Sequence, residues 1–236
     1  MKFNDDEGYL KMLRCHYEDW TNGGMDDCPY DIKLLLPGVR VILALTEKYH
    51  ALIANPPYMG RGHMTSVLSN YLDKNYPNAK SDLFSTFMDM MLDRTIDNGK
   101  TAFITMESWM FLSSFEKFRK NIIDNYHIAS LGHFGWHIIG IAFGTAMTVI
   151  DKCKSNGRKG VYSYLTIDDI DREKNVPFVY PKKDNGRFAI VEQKNFEKIP
   201  GCPIGYWVSE NIINLFEQYL FKDYFFAGHG VLSGHD

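Results

Sequence analysis

The chain has 236 residues, 45% hydrophobic and 14% aromatic, enough apolar side chain to bury one sizeable core. Its 26 Lys and Arg against 29 Asp and Glu leave a formal charge of −3, which argues against a stand-alone nucleic-acid binder held by bulk charge. Cys15, Cys28, Cys153 and Cys202 lack any C-x-x-C spacing, and no apolar run is long enough to span a bilayer; a zinc knuckle, a disulfide framework and a membrane partner are not expected, and a reduced, cytoplasmic setting is.

Taken in chain order, residues 5–20 read as a helix, and residues 21–29, with Gly23, Gly24 and Pro29, as a loop. A second helix is predicted to follow Pro37 and run to about Lys48. The short apolar run His50-Ala51-Leu52-Ile53-Ala54 then stops against Asn55-Pro56-Pro57-Tyr58, as a buried strand stops in a loop. Between Ser81 and Ile96 the apolar residues recur at helical intervals, and Asp97-Asn98-Gly99 supplies the expected stop. Thr101 to Met106 alternates as a strand does, and Ser113 with Glu116 predicts a capping box opening a helix to about Ile123. Strands are expected near residues 128–131, 145–150 and 161–167, so helix and strand alternate: the class is α/β, a largely parallel sheet with flanking helices. Beyond Lys152 the texture changes to charged turns and Pro177, Pro181, Pro200 and Pro203, with one clear helix from Ser209 to about Phe221. The predicted organisation is therefore a helical segment over 1–48, half of a catalytic domain over 49–152, and a connector over 153–236.

Asn55-Pro56-Pro57-Tyr58 carries the chemistry. An amino group conjugated to a planar ring is a poor nucleophile, because its lone pair is delocalised. The amide oxygen of Asn55 and the backbone carbonyl of Pro56 can each accept a hydrogen bond from such an NH2, favouring a more pyramidal nitrogen as attack begins. Pro56 and Pro57 fix φ and remove competing donors, and Tyr58 offers a ring face for a base taken out of a duplex. The plain alternative is a rigid turn after a strand, since Asn and Pro are ordinary turn residues. The position directly after a strand, where open α/β sheets hold their ligands, favours the chemical reading.

Three stretches, Ala54-Asn55-Pro56-Pro57-Tyr58-Met59-Gly60, Lys80-Ser81-Asp82-Leu83-Phe84 and 109–116 (Trp109 to Glu116), resemble the large adenine-specific DNA methyltransferases of BREX phage defence. Related type II restriction-modification methyltransferases look similar, and residues 199–207 resemble that family's link toward target recognition. The resemblance implies an incomplete Rossmann-like methyltransferase fold and S-adenosylmethionine as cofactor. It also implies double-stranded DNA as the partner of the full-length protein, and other defence-system proteins beside it. By resemblance, Asn55 and Pro56 accept from the target amine, Pro57 completes the catalytic motif, Tyr58 stacks on the base, and Phe143 packs on its other side. Asp82 and Phe84 fall in the segment that lies near the cofactor's adenine in such enzymes. Their ordinary reading is a helix N-terminal carboxylate and a core aromatic, as Phe143 is otherwise a packing residue.

A Gly-rich cofactor turn after a strand is expected upstream of Asn55, and residues 1–50 have none. Phe226-Ala227-Gly228-His229-Gly230 matches F-x-G-x-G, but its context resembles the start of target recognition. The expectation is a fragment with weak or absent cofactor binding and no activity alone. The same tetrapeptide chemistry would also serve protein glutamine amides or RNA bases, and a non-catalytic binding remnant is the rival from another class. No carboxylate and Lys arrangement indicates a nuclease. His63, His133 and His137 are scattered, and the mechanism needs no metal.

Overall fold

The computed structural model describes residues 8–23, 30–138 and 140–218. Helix α1 (Tyr9–Asn22) lies against α2 (Tyr30–Thr46), with Arg14 paired to Glu47 across them. Helix α2 starts seven residues before the expected Pro37, which sits inside it and leaves the carbonyl of Lys33 without its helical donor.

Strand β1 (Tyr49–Ala54) runs into the Asn55 corner, followed by α3 (Ser66–Asn75), α4 (Leu83–Asp93) and β2 (Thr95–Met106). Next come α5 (Glu116–Asn125), β3 (His127–Phe134), β4 (Thr145–Asp151) and β5 (Lys159–Leu165). The short pair β6 (Ile170–Asp171) and β7 (Val176–Pro177), then β8 (Phe188–Glu192) and α6 (Glu210–Gln218), complete the described chain. The main sheet has the order β1-β2-β4-β3-β5-β8. From the pairings, β1, β2, β3 and β5 point one way while β4 and β8 oppose them, the α/β class expected from the sequence.

The core forms where α4 and α5 cover the sheet. Phe84, Met88 and Leu92 of α4 and Phe118 and Ile122 of α5 meet Phe103, Ile128, Ile150 and Tyr162 of the strands, all buried. Burying a side chain of this size is worth about 1.5–3 kcal/mol, so this layer is the main source of stability. Arg119 of α5 lies within it, only 1% exposed, donating to the carbonyls of Trp109 (2.9 Å), Leu112 (2.5 Å), Gly201 (2.6 Å) and Cys202 (3.2 Å).

Several local expectations are corrected. The run ending at Ala54 is not a fully buried strand: among the described residues β1 is the edge of the sheet, paired on one side, and Ile53 is 83% exposed. Residues 97–99 do not cap a helix. They form an irregularity within β2, where the register jumps from Tyr49↔Thr95 to Ala51↔Lys100, with Asn98 at φ 63°. Gly99 is required there, since a Cβ would lie 2.8 Å from the His50 carbonyl and 2.9 Å from that of Ile96. Ser113 lies in a 3-10 turn and forms no capping box with α5. Helix α3, to which the sequence reading gave no element, has a true N-cap: the Thr65 hydroxyl accepts from the Leu68 amide at 3.3 Å.

The expected boundary after Lys152 does not divide the sheet, because β5 and β8 are strands of it. Charged turns and prolines mark the connections between these strands rather than a change of unit. The Phe226–Gly230 segment lies outside the described residues. No described helix is long and apolar enough to cross a membrane.

Candidate active site

The corner at Asn55 stands at the carboxyl end of β1, where the chain leaves the sheet. Pro56 is buried, Asn55 and Pro57 are exposed, and Tyr58 is half-buried. No hydrogen bond to the Pro56 carbonyl forms among the described residues. The Tyr58 hydroxyl lies 3.3 Å from Asn55 Oδ1 and 3.2 Å from the carbonyl oxygen of Ile104 on β2. One O–H cannot serve both acceptors fully, so neither bond is strong, and the Asn55 oxygen keeps lone-pair capacity. Burial, with Asp82 as a lesser cause, pushes the Tyr58 phenol above its usual range, so it stays a protonated donor at neutral pH.

What fixes the corner is its backbone pairing to the start of α4. Met59 N–H donates to Asp82 Oδ1 (3.0 Å), Leu83 N–H to the Met59 carbonyl (3.0 Å), and Arg61 N–H to the Ser81 carbonyl (3.2 Å). The same Asp82 oxygen caps α4 by accepting from the Phe84 amide at 3.1 Å. The carboxylate thus welds the residue after Tyr58 to a helix N-terminus.

The aromatic neighbours come from three elements. Phe84, fully buried, meets the Tyr58 ring edge-on with centroids 6.1 Å apart, and is backed by Phe115 at 5.4 Å. Phe143, before β4, approaches Tyr58 from the other side at 5.6 Å and 75° between ring planes.

Every residue singled out from the sequence therefore falls in one cluster: Asn55, Pro56, Pro57, Tyr58, Asp82, Phe84 and Phe143. The environments of Asp82 and Phe84 differ from the expectation. Asp82 Oδ1 holds two amides, and Phe84 is 0% exposed. Their observed work is to hold the corner, with Asp82 Oδ1 and the buried Phe84 ring built into the fold.

Sequence reasoning missed the Ile104 carbonyl and Glu107, which follows β2. Glu107 N–H donates to the Gly144 carbonyl at 3.0 Å, and its carboxylate fills the space that a Cβ on Gly144 would need. It also bonds His133 Nε2 at 2.5 Å, while His133 Nδ1 lies 3.0 Å from the Tyr206 hydroxyl. Nothing local in sequence links residues 107, 133, 144 and 206; the sheet alone brings them together. Of the other histidines, His63 and His137 are exposed.

The proline-stiffened corner and its aromatic neighbours stand at the carboxyl edge of an open α/β sheet, where folds of this class bind ligands. The chain belongs to the Eco57I restriction-modification methylase family, whose profile matches residues 17–138. It is 35% identical over 206 residues to the adenine-specific methyltransferase PglX of Lacticaseibacillus casei (strain Zhang), covering 84% of this chain and 17% of that one. It is 34% identical over 190 residues to the adenine-specific methyltransferase BrxX of Escherichia coli O9:H4 (strain HS), covering 77% and 15% respectively. The chain thus spans about a sixth of the curated relatives it matches. Among solved structures, that of a DrdV–DNA complex superposes with a TM-score of 0.50 at 15% identity, covering 75% of this chain and 20% of that one, a likeness of fold.

Proposed function

We propose that this chain supplies the base-binding corner of an S-adenosylmethionine-dependent DNA adenine-N6 methyltransferase acting in phage defence or restriction-modification. The observation that carries the proposal is the Asn55 corner, which presents an exposed amide and an uncommitted Pro56 carbonyl beside the Tyr58 ring. Membership of the methylase family and relatives named as adenine-specific methyltransferases support it.

In this mechanism Asn55 Oδ1 and the Pro56 carbonyl each accept a hydrogen bond from one N–H of the adenine amine. That draws the nitrogen lone pair out of conjugation and orients it for attack. The base stacks on Tyr58, a contact worth about 1–3 kcal/mol. Two rings sandwiching a base need centroids about 7 Å apart, twice a carbon contact distance. Tyr58 and Phe143 stand 5.6 Å apart and edge-on, so Phe143 swings aside or rotates as the base enters. S-adenosylmethionine supplies the methyl group in such enzymes. Residues 1–50 hold no Gly-rich turn after a strand to receive its methionine end, and titration of the purified chain with it is expected to show no saturable micromolar binding.

The test is the N6-methyladenine content of genomic DNA in cells expressing the gene that contains this segment. Methylation is expected with the natural sequence and loss of it with Asn55→Ala. Unmethylated DNA together with methylated RNA or methylated protein glutamine would move the activity to another acceptor.

A further inference from the structure

A second cavity opens on the same sheet edge, and nothing in the chemistry above uses it. It measures about 480 Å³, within the range of small-ligand sites, and is walled by His133, Tyr164, Phe188, Tyr206 and Trp207 with Arg187 at its rim. His133 and Tyr164 are the penultimate residues of β3 and β5, and Phe188 begins the antiparallel β8. Since β1, β2, β3 and β5 point the same way, the cavity and the Asn55 corner share the carboxyl edge. Three strand spacings separate β1 from β3, about 14 Å.

The walls are flat and fixed. Tyr206 stacks on buried Tyr162 with centroids 5.1 Å apart and 15° between planes, and meets Trp207 edge-on at 5.0 Å. Trp207 is 59% exposed, so most of its indole is uncovered among the described residues. His133, held by Glu107 and Tyr206, has both ring nitrogens committed and serves as wall, not as donor.

Charge at the rim selects among flat ligands. Arg187 uses one guanidinium nitrogen on Asp169 (2.9 Å) and Thr166 (3.2 Å), and among the described residues its other donors are unspent. Lys183 lies 6.0 Å from the Phe188 ring centroid, and Lys182 pairs with Asp184. Among the described residues Arg187 is the one Lys or Arg that lines the cavity; Lys182 and Lys183 are engaged by Asp184 and Phe188, and the nearby carboxylates are Asp169, Asp184 and, behind His133, Glu107. A ring with an attached anion meets both demands, the ring on aromatic faces and the anion on the guanidinium fork.

We propose that this cavity is a nucleotide-binding site, taking one heterocyclic base against Trp207 and Tyr164 with its phosphate at Arg187. A base of a polynucleotide bound along the sheet edge is one source and a free nucleotide the other; only the first rests on the DNA-methylating function above.

The protein labelled with 5-fluorotryptophan gives one fluorine resonance for each of its four Trp residues, and Trp207→Phe identifies the relevant one. Titration with dAMP is expected to shift the Trp207 resonance saturably, with affinity in the millimolar range or tighter. Arg187→Gln should weaken dAMP about tenfold while leaving deoxyadenosine unchanged. Single-stranded oligonucleotide and duplex DNA arms separate the sources: saturation at lower nucleotide concentration than dAMP marks the polynucleotide, and dAMP alone marks a free nucleotide. Asn55→Ala should keep the shift, so failure of the methylation proposal leaves this one standing. No dAMP shift at Trp207 with the fold intact by circular dichroism, or an equal shift with an aliphatic phosphate, would overturn it.

Discussion

Tyr58 has a single hydroxyl proton and two acceptors, Asn55 Oδ1 and the Ile104 carbonyl, at nearly equal distance. Its ring should therefore matter more than its hydroxyl. Under the proposed function, Tyr58→Phe in the full-length protein is expected to keep the affinity for DNA carrying 2-aminopurine at the target adenine within about tenfold, the worth of one modest hydrogen bond. Tyr58→Ala should lose about 1–3 kcal/mol of stacking. Titration of the 2-aminopurine fluorescence distinguishes the two. At His133, burial holds the imidazole below its usual range, and the Glu107 bond opposes this only in part. The neutral ring fits its partners, Nε2–H donating to Glu107 while Nδ1 accepts from Tyr206. An imidazole depressed on folding adds stability that is complete above its unfolded value of about 6.5 and is lost as pH falls below it. His127, also lowered chiefly by burial, acts in the same direction. The melting temperature is expected to fall on acidification from about pH 7 through 6, and His133→Gln should flatten that slope; an unchanged slope would exclude His133 as a cause.

At the scale of elements, helix α5 and the turns on either side of Trp109 are tied to residues 201–202 by one side chain, Arg119. Its bonds to four carbonyls replace secondary structure that these irregular segments lack. Arg119→Leu leaves those oxygens buried without a donor, and is expected to destabilise the protein by about 3 kcal/mol or more in urea unfolding. Arg119→Lys should recover little, because one ammonium cannot span four acceptors. Prediction from pattern was uneven here for a physical reason. The periodicity of α4 and the alternation of β2 were legible because one face of each is buried, and β4 was legible as a short apolar run because most of it is buried. The capping box failed because Ser113 spends its backbone in a 3-10 turn, and Asp97-Asn98-Gly99 misled because a bulge and a helix stop demand the same residues.

Across the whole molecule, the sheet extends past Lys152, so β3 depends on β5 for one of its two partners. A chain ending at Lys152 is expected to lose cooperative unfolding and near-ultraviolet dichroism, since Leu131 and Phe134 would be uncovered with the β3 edge; a cooperative melt would restore the boundary. On the opposite edge, Ile53 of β1 and Leu34, Leu35, Val41 and Leu45 of α2 are exposed. The sequence by itself determined the α/β class and the Asn55 corner, because periodicity and proline stiffness act over a few neighbouring residues. Only the tertiary structure decided what Asp82 and Phe84 do, where the sheet ends, and that Glu107, His133 and Tyr206 meet. Those outcomes depend on strand order, which joins residues far apart in the chain and leaves no local trace.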